Sequence, residues 1–390
     1  MCSPITITER HNMSEFAKGL EGVIAAESRI CNIDGEDGKL HYLGYSIEDL
    51  VHHCTFEEVT YLLLYGELPN QGELEAFSRD MRSQRALPEP VQKMIREFPA
   101  SSHPMELLQA SIMYLDGHCG PDQEQGSDFD CRRTIHLIAQ LPTVVAAWQR
   151  VREGKPVVEP RADLSHGANF LYMLHGEAPA EDEGRIIDGA FVLHAEHSFN
   201  ASTFTARVVA STQSTCYCAI SAAIGSLYGS LHGGANERVM EMVDEVGSRA
   251  NAESWVNKAL DEKRKIMGMG HRVYRAKDPR AKIIEGYLKE ISDKSGEQGY
   301  YDIMKEVERA FRRRMEDTGK PIYPNVDFFS GAVYRQLGIP TILFTPIFAI
   351  ARVSGWLSHV IEQREDNRIY RPKAMYVGEV DRPFVPIEKR

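Results

Sequence analysis

Apolar residues at helical spacing recur along most of this chain, and that period is what most limits the folds open to it. The segment from Pro346 shows it best. Ile347, Ile350, Ser354, Leu357 and Ile361 line one face, with Thr345 placed to cap, Pro346 suited to the first turn and Arg352 off the stripe. Phe56, Val59, Leu62 and Leu63 repeat in the same way before Gly66 and Pro69 stop the run. Val239, Met242, Val243 and Val246 follow Asn236, read as an N-cap, and end at Gly247. Met304, Val307, Phe311 and Met315 make a further stripe. Strand signals are confined to Ile30–Gly44, where two short apolar runs flank Asp34-Gly35-Glu36-Asp37-Gly38 and read as a small hairpin. No strand–helix alternation builds a parallel sheet, so the fold class is mainly α. Breaks near 154–160, 176–184, 232–234 and 319–324 mark loops, and the pattern alone sets no domain boundary.

With 390 residues the chain can bury a large core in one large or two unequal domains. A formal charge of -11 argues against a nucleic-acid surface. It also means that an anionic substrate needs a local cluster of basic side chains. The first fifteen residues, MCSPITITERHNMSE, carry neither a signal-peptide nor a transit-peptide pattern. No window approaches a membrane span, the most apolar stretch being Cys216–Leu231. Seven scattered cysteines without a CxxC pair point to packed thiols, no metal site and a reducing cytoplasm.

Four stretches collect residues that a helical core does not need. In His194-Ala195-Glu196-His197-Ser198-Phe199-Asn200-Ala201-Ser202-Thr203 two histidines could share a helix face and bind metal. There is no HExxH and no third ligand, and ordinary histidines near a helix end are the commoner case. Leu231-His232-Gly233-Gly234-Ala235-Asn236 offers either a cap or an imidazole in a turn that a substrate can approach. Met267-Gly268-Met269-Gly270-His271-Arg272-Val273-Tyr274, with Asp278-Pro279-Arg280 beyond it, lacks both dinucleotide and P-loop fingerprints. Its glycines would let main-chain N–H groups approach a nucleotide, or it is a plain loop. Lys320-Pro321-Ile322-Tyr323-Pro324-Asn325-Val326-Asp327 leads to one carboxylate beside Phe328 and Phe329. It is either an N-cap or a desolvated general base. Arg280, Arg352 and Arg371 are ordinary surface charges taken singly; together they could grip a dicarboxylate.

In this order, LHGGAN, GHRVYRAKDPR, PNVD and the late AR…RPK pair resemble the active-site segments of the citrate synthase family. FAKGLEGVIAAESRI, HYLGYSIEDL and FEEVTYLLLYGELP extend the resemblance over nearly the whole chain. It implies a helical fold with a large domain, 1–233 plus 341–390, and a small one, 234–340. It implies condensation of acetyl-CoA with oxaloacetate to citrate, without metal or redox cofactor. Asp327 corresponds to the base, His232 to the imidazole on the thioester oxygen and His271 to the one on the oxaloacetate carbonyl. His197, Arg280, Arg352 and Arg371 match the oxaloacetate-holding set, the last reaching the partner's site in a homodimer. Lys265, Met267, Gly268, Met269, Gly270 and Lys320 match CoA-binding positions. HAEHSFNAST stands where relatives often carry HADHGMNAST, which leaves the matched His197 in place. The chain lacks the extra N-terminal region of larger, NADH-inhibited hexamers, so the resemblance implies a dimer without that control. Rival readings are 2-methylcitrate synthase acting on propionyl-CoA, citryl-CoA cleavage, and a non-catalytic interaction protein on the same scaffold. An extra methylene is worth only about 1–3 kcal/mol of discrimination, so overlap between the acyl substrates is expected.

Overall fold

The computed structural model describes residues 16–118, 127–271, 273–316, 319 and 322–390. The first fifteen residues and Lys320 therefore lie outside the described residues. Three short strands come first: β1 (Cys31–Asp34), β2 (Lys39–Tyr42) and β3 (Tyr45–Ser46). Among the described residues the helices are then α1 (Ile47–His53), α2 (Phe56–Tyr65), α3 (Gln71–Ser83), α4 (Glu89–Glu97), α5 (Pro104–Asp116), α6 (Ser127–Arg152), α7 (His166–His175) and α8 (Glu181–Ala195). They continue with α9 (Ala201–Ala210), α10 (Cys216–Tyr228), α11 (Ala235–Val246), α12 (Arg249–Asp261), α13 (Pro279–Ser295), α14 (Gly299–Glu316), α15 (Val326–Gln336) and α16 (Phe344–Glu365). The fold is mainly α, as the period implies.

Helix boundaries follow local chemistry. Thr55 and Glu58 close a reciprocal capping box at the start of α2, and Gly66 ends it with φ 90°. Phe56, Val59, Leu62 and Leu63 are buried. Two expected caps are displaced. Gly234, at φ 72°, caps α11, while Asn236 is buried in its first turn. Thr345 does not cap α16, because a 3-10 turn over Thr341–Leu343 already leads into it and the helix starts at Phe344. Thr345 instead donates its hydroxyl to Glu237 on α11.

α16 is buried on nearly every side, so Arg352, Trp356 and His359 are as enclosed as the stripe. It packs against α2, α6, α8, α9 and α10. With the preceding turn it is, among the described residues, the one helix long and apolar enough to cross a membrane, correcting the reading that no window comes close. Since 83% of its apolar window is buried inside the protein, it is a core helix. Helices α11–α15 pack mainly among themselves, α13 on α15 and α12 on α14.

The hairpin pairs Cys31 with Tyr42 through to Asp34 with Lys39, and β3 adds a third strand. Its turn reaches the loop after His271: Gly35 O accepts from Arg275 N at 2.8 Å. A Cβ on Gly35 would stand 2.3 Å from Val273 O, so only glycine allows this approach. The N-terminal sheet is thus a prop for a loop nearly 240 residues away in sequence.

Candidate active site

The first, third and fourth motif stretches meet across the ends of α8, α13 and α15, and the second joins the first through His232 and Ser202. α8 delivers His194 in its last turn and His197 just beyond. His194 Nδ1 bonds to Ala190 O one turn back at 2.8 Å, and burial drives its pKa down to about 3. It is a buried core histidine, and its carbonyl accepts from Arg352 Nε at 2.7 Å. His197 faces the third stretch: its ring centroid is 5.2 Å from that of His271, edge to face. Tyr274 fills the angle between them, 4.7 Å from the His271 ring and with its hydroxyl 3.4 Å from His197 Nε2.

Main-chain donors fix the proton on both imidazoles named for chemistry. His271 Nδ1 accepts from Val273 N at 3.0 Å and Tyr274 N at 3.2 Å, so its proton sits on Nε2. His232 Nε2 accepts from Ser202 N at 3.3 Å and lies 2.8 Å from the Ser202 hydroxyl, so its proton sits on Nδ1. Trp356 Nε1 anchors that hydroxyl at 3.1 Å. Burial first, then Arg352 for His232 and Arg280 for His271, pushes each pKa down to about 4. At neutral pH both rings are uncharged donors with fixed tautomers. His232 lies in the turn after α10, where a Cβ on Gly233 would meet Leu227 O at 2.2 Å. Arg238 braces the same turn through Gly233 O and Ser230 O.

Asp327 is the second residue of α15, and Asn325 is the cap, accepting from Asp327 N at 3.0 Å. A helix N-terminus favours a charged carboxylate. Burial works the other way and wins, raising Asp327 to about 6 against the pull of Arg280, Arg352 and Arg238. Asn325 also ties this helix to the glycine loop. Its N bonds to Gly268 O and its Nδ2 to Gly270 O, both at 2.9 Å, while Gly270 N bonds to Tyr323 O at 2.8 Å. Gly268 and Gly270 have φ of 75° and 87°, and a Cβ on Gly268 would strike Phe328. Met267 and Met269 are half-buried on this loop, and Lys265 at its start is exposed. Among the described residues no hydrogen bond or ring contact joins Asp327 to His232 or His271.

The arginines differ from one another. Arg280 is buried in a two-pronged bond with Asp278, Nε at 3.1 Å and Nη2 at 2.8 Å. Burial opposes its charge, but Asp278 prevails and its pKa is raised. Arg352 is equally buried, yet among the described residues no carboxylate lies within ion-pair distance and no protein group bonds to its terminal nitrogens. Its guanidinium rests over Phe348, and burial lowers its pKa despite Glu196 nearby. Glu196 is itself held by His359 Nε2 at 3.1 Å. Arg371 is not part of this cluster. It lies exposed beyond α16, against a groove of about 1020 Å³ lined by Phe204, Arg207, Tyr370, Val23 and residues 25–29 among others. Sequence reading named the histidines, arginines and Asp327 but not Ser202, Tyr274, Asp278 or Asn325. Ser202, Tyr274 and Asp278 act through positions inside motifs already quoted. Asn325 had a signal too, since Asn two residues before a helical carboxylate is a cap pattern.

Neutral imidazole donors, a carboxylate of raised proton affinity and a buried arginine held by no ion pair among the described residues make this a helical acid–base enzyme site suited to an anion. The family model for the citrate synthase C-terminal domain matches residues 19–373. The citrate synthase of Deinococcus radiodurans is 46% identical over 380 residues, covering 97% of this chain and all of that relative. The crystal structure of citrate synthase from Pyrobaculum aerophilum superposes with a TM-score of 0.89 at 42% identity, covering 96% of this chain and 95% of that one. A ternary complex of the Thermoplasma acidophilum citrate synthase with carboxymethyl coenzyme A and oxaloacetate gives 0.90 at 34%, covering 97% and 100%. The chain belongs to the citrate synthase family and is an acyltransferase of that type.

Proposed function

We propose that this enzyme condenses acetyl-CoA with oxaloacetate and water to citrate and free CoA. The observation that carries the reading is the pair of fixed donors, Nδ1–H on His232 and Nε2–H on His271. Asp327 takes a proton from the thioester methyl while His232 Nδ1–H hydrogen-bonds the oxygen that gains charge. A thioester methyl is a far weaker acid than any carboxylic acid, so the raised pKa of Asp327 narrows the mismatch without closing it. Charge stabilisation at the oxygen supplies the rest. The enol carbon then attacks the ketone of oxaloacetate, and His271 Nε2–H supplies the proton to the new alkoxide. His197, Arg280, Arg352 and the partner's Arg371 hold the dicarboxylate, and water finally cleaves the citryl thioester. The CoA thioester is a substrate, and no step calls for a metal or redox group.

The same reading assigns Lys265, Met267, Gly268, Met269, Gly270 and Lys320 to CoA. It divides the chain into 1–233 plus 341–390 and 234–340, moving about each other. The packing of α11–α15 among themselves supports that division. That no hydrogen bond among the described residues joins Asp327 to either histidine suits a site completed by closure. The same reading puts the enzyme in the cytoplasm, where thiols such as those of Cys31, Cys54, Cys216 and Cys218 stay reduced.

A homodimer is supported by Arg371, which lies away from its own site on a segment exposing Met375, Tyr376, Val377, Val380, Phe384 and Ile387. Mixing refolded Arg371→Ala and Asp327→Asn subunits, each inactive alone, then restores about a quarter of parental activity, because half the dimers are hybrids with one intact site. No recovery on mixing removes the shared-site arrangement.

2-Methylcitrate synthase 1 of Corynebacterium glutamicum is 42% identical over 384 residues, close enough that propionyl-CoA is the substrate to compare. Free thiol released at fixed oxaloacetate reads both reactions. The expected result is a higher kcat/KM with acetyl-CoA, with measurable propionyl turnover. A clear propionyl preference reverses the assignment.

A further inference from the structure

We infer that Tyr274 is a positioning residue for oxaloacetate, a strut that sets both imidazoles of the dicarboxylate pocket through two different groups. This inference rests on the proposed condensation and adds a residue to the pocket. The phenol ring is 4% exposed, although it sits on a loop whose neighbours Val273 and Arg275 are exposed. A loop tyrosine turned inward among two histidines and Arg280 has little apolar surface to gain there, so hydrophobic burial alone does not explain its place. Its hydroxyl reaches His197 Nε2 at 3.4 Å, and its main-chain N–H is one of the two donors that fix the His271 tautomer. The ring lies against both imidazoles, 4.7 Å from His271 and 5.8 Å from His197 between centroids. Burial holds the phenol protonated, its pKa well above the usual tyrosine value, so the hydroxyl remains available as a donor throughout the working range.

The strut is itself anchored. Gly35 O holds Arg275 N at 2.8 Å, one residue beyond Tyr274, and the missing Cβ of Gly35 makes room for Val273 O. Asp278 grips Arg280 on the far side of the same loop. The backbone of Tyr274 is thus pinned from the hairpin on one side and the start of α13 on the other. Its hydroxyl then sets the orientation of His197, which comes from α8. The His197 ring otherwise has one edge toward His271 and, among the described residues, no carboxylate partner to fix it. A hydroxyl so placed affects how well the pocket fits the dicarboxylate. Among the described residues this hydroxyl bonds to neither the glycines of the glycine loop nor Asn325, which flank the proposed acyl-CoA side.

The test is Tyr274→Phe, which keeps the ring and its main-chain donor and removes only the hydroxyl. The expected result is a KM for oxaloacetate raised about tenfold, the loss of one hydrogen bond in the pocket. kcat falls much less, KM for the acyl-CoA stays within twofold and the melting temperature is retained. Tyr274→Leu, which also removes the ring packing, loses more in both parameters. In a double-mutant comparison with His197→Gln, the two losses do not add, because the hydroxyl acts through that imidazole. Calorimetric titration with oxaloacetate reads the same weakening without turnover. A Tyr274→Phe enzyme with parental KM for oxaloacetate overturns the inference, as does a loss that adds fully to that of His197→Gln. If the parent itself releases no thiol from acetyl-CoA or propionyl-CoA with oxaloacetate, it is the condensation reading that fails, a result separable from either of these.

Discussion

Asp327→Asn lowers kcat for condensation about a thousandfold while the protein becomes more stable at neutral pH. Both effects come from one environment. The carboxylate is raised from 3.8 to about 6 chiefly by burial, which outweighs its helix N-terminus and three arginines. Burial favours the protonated form, so folding is not penalised below pH 4. The penalty grows as pH rises and is complete above pH 6. At pH 7 to 8 the ionised carboxylate therefore costs about 1–3 kcal/mol, discounted for partial access to solvent. Asparagine removes that cost and keeps the shape, but it cannot take a proton, and loss of a positioned base typically costs a factor of about 100–10,000. The expected pattern is a higher melting temperature at pH 7.5, a gain that vanishes near pH 4, and retained oxaloacetate binding. In the parent, kcat/KM for the acyl-CoA rises through about pH 6 and then levels. His232 and His271, at about 4, stay neutral throughout and add no step of their own above pH 5. Turnover of Asp327→Asn within tenfold of the parent removes Asp327 from the role of base.

What could be read in advance was set by period and by residue type. The stripes of α2, α11, α14 and α16 were legible because a helix shows its buried face every three to four residues. That α16 is enclosed all round was not, since Arg352 lies off the stripe and Ser358, His359 and Gln363 on its other faces are of types usually found at a surface. Their burial depends on partners distant in sequence, such as Glu196 for His359 and Arg207 for Gln363. Caps slipped for a related reason. Asn236 has the right chemistry, yet Gly234, with its positive φ, ends the turn that exposes His232 two residues earlier. The chemistry-bearing residues stood out because histidines, a carboxylate and arginines cluster in short motifs. What held them did not. The donors that fix each tautomer are main-chain N–H groups of Ser202, Val273 and Tyr274, which every sequence possesses and only geometry aims. The contrast between Arg280 and Arg352 was equally hidden, because it turns on which of them finds a carboxylate.

That contrast gives the second large effect. Arg280 has its charge matched by Asp278, whereas among the described residues no protein group bonds to the terminal nitrogens of the buried Arg352. A dicarboxylate arriving at Arg352 thus gains two charge-assisted hydrogen bonds and gives up no internal ion pair. At about 1.5–3 kcal/mol for each such bond, Arg352→Gln raises the KM for oxaloacetate at least a hundredfold. The same substitution does not lower the melting temperature, since it removes a cation whose desolvation outweighs the pull of Glu196 and which has no ion-pair partner among the described residues. Arg352→Lys recovers only part of the affinity, because an ammonium is a point charge and cannot offer the planar fork. The check is thermal unfolding with and without oxaloacetate. In the parent, ligand at about a hundred times Kd adds about 2.7 kcal/mol of stability and shifts the melting temperature upward. In Arg352→Gln that shift is lost while the midpoint without oxaloacetate is maintained. A variant that unfolds earlier by itself yet keeps the full oxaloacetate shift would make Arg352 a structural cation of α16 and leave the dicarboxylate to Arg280 and His197.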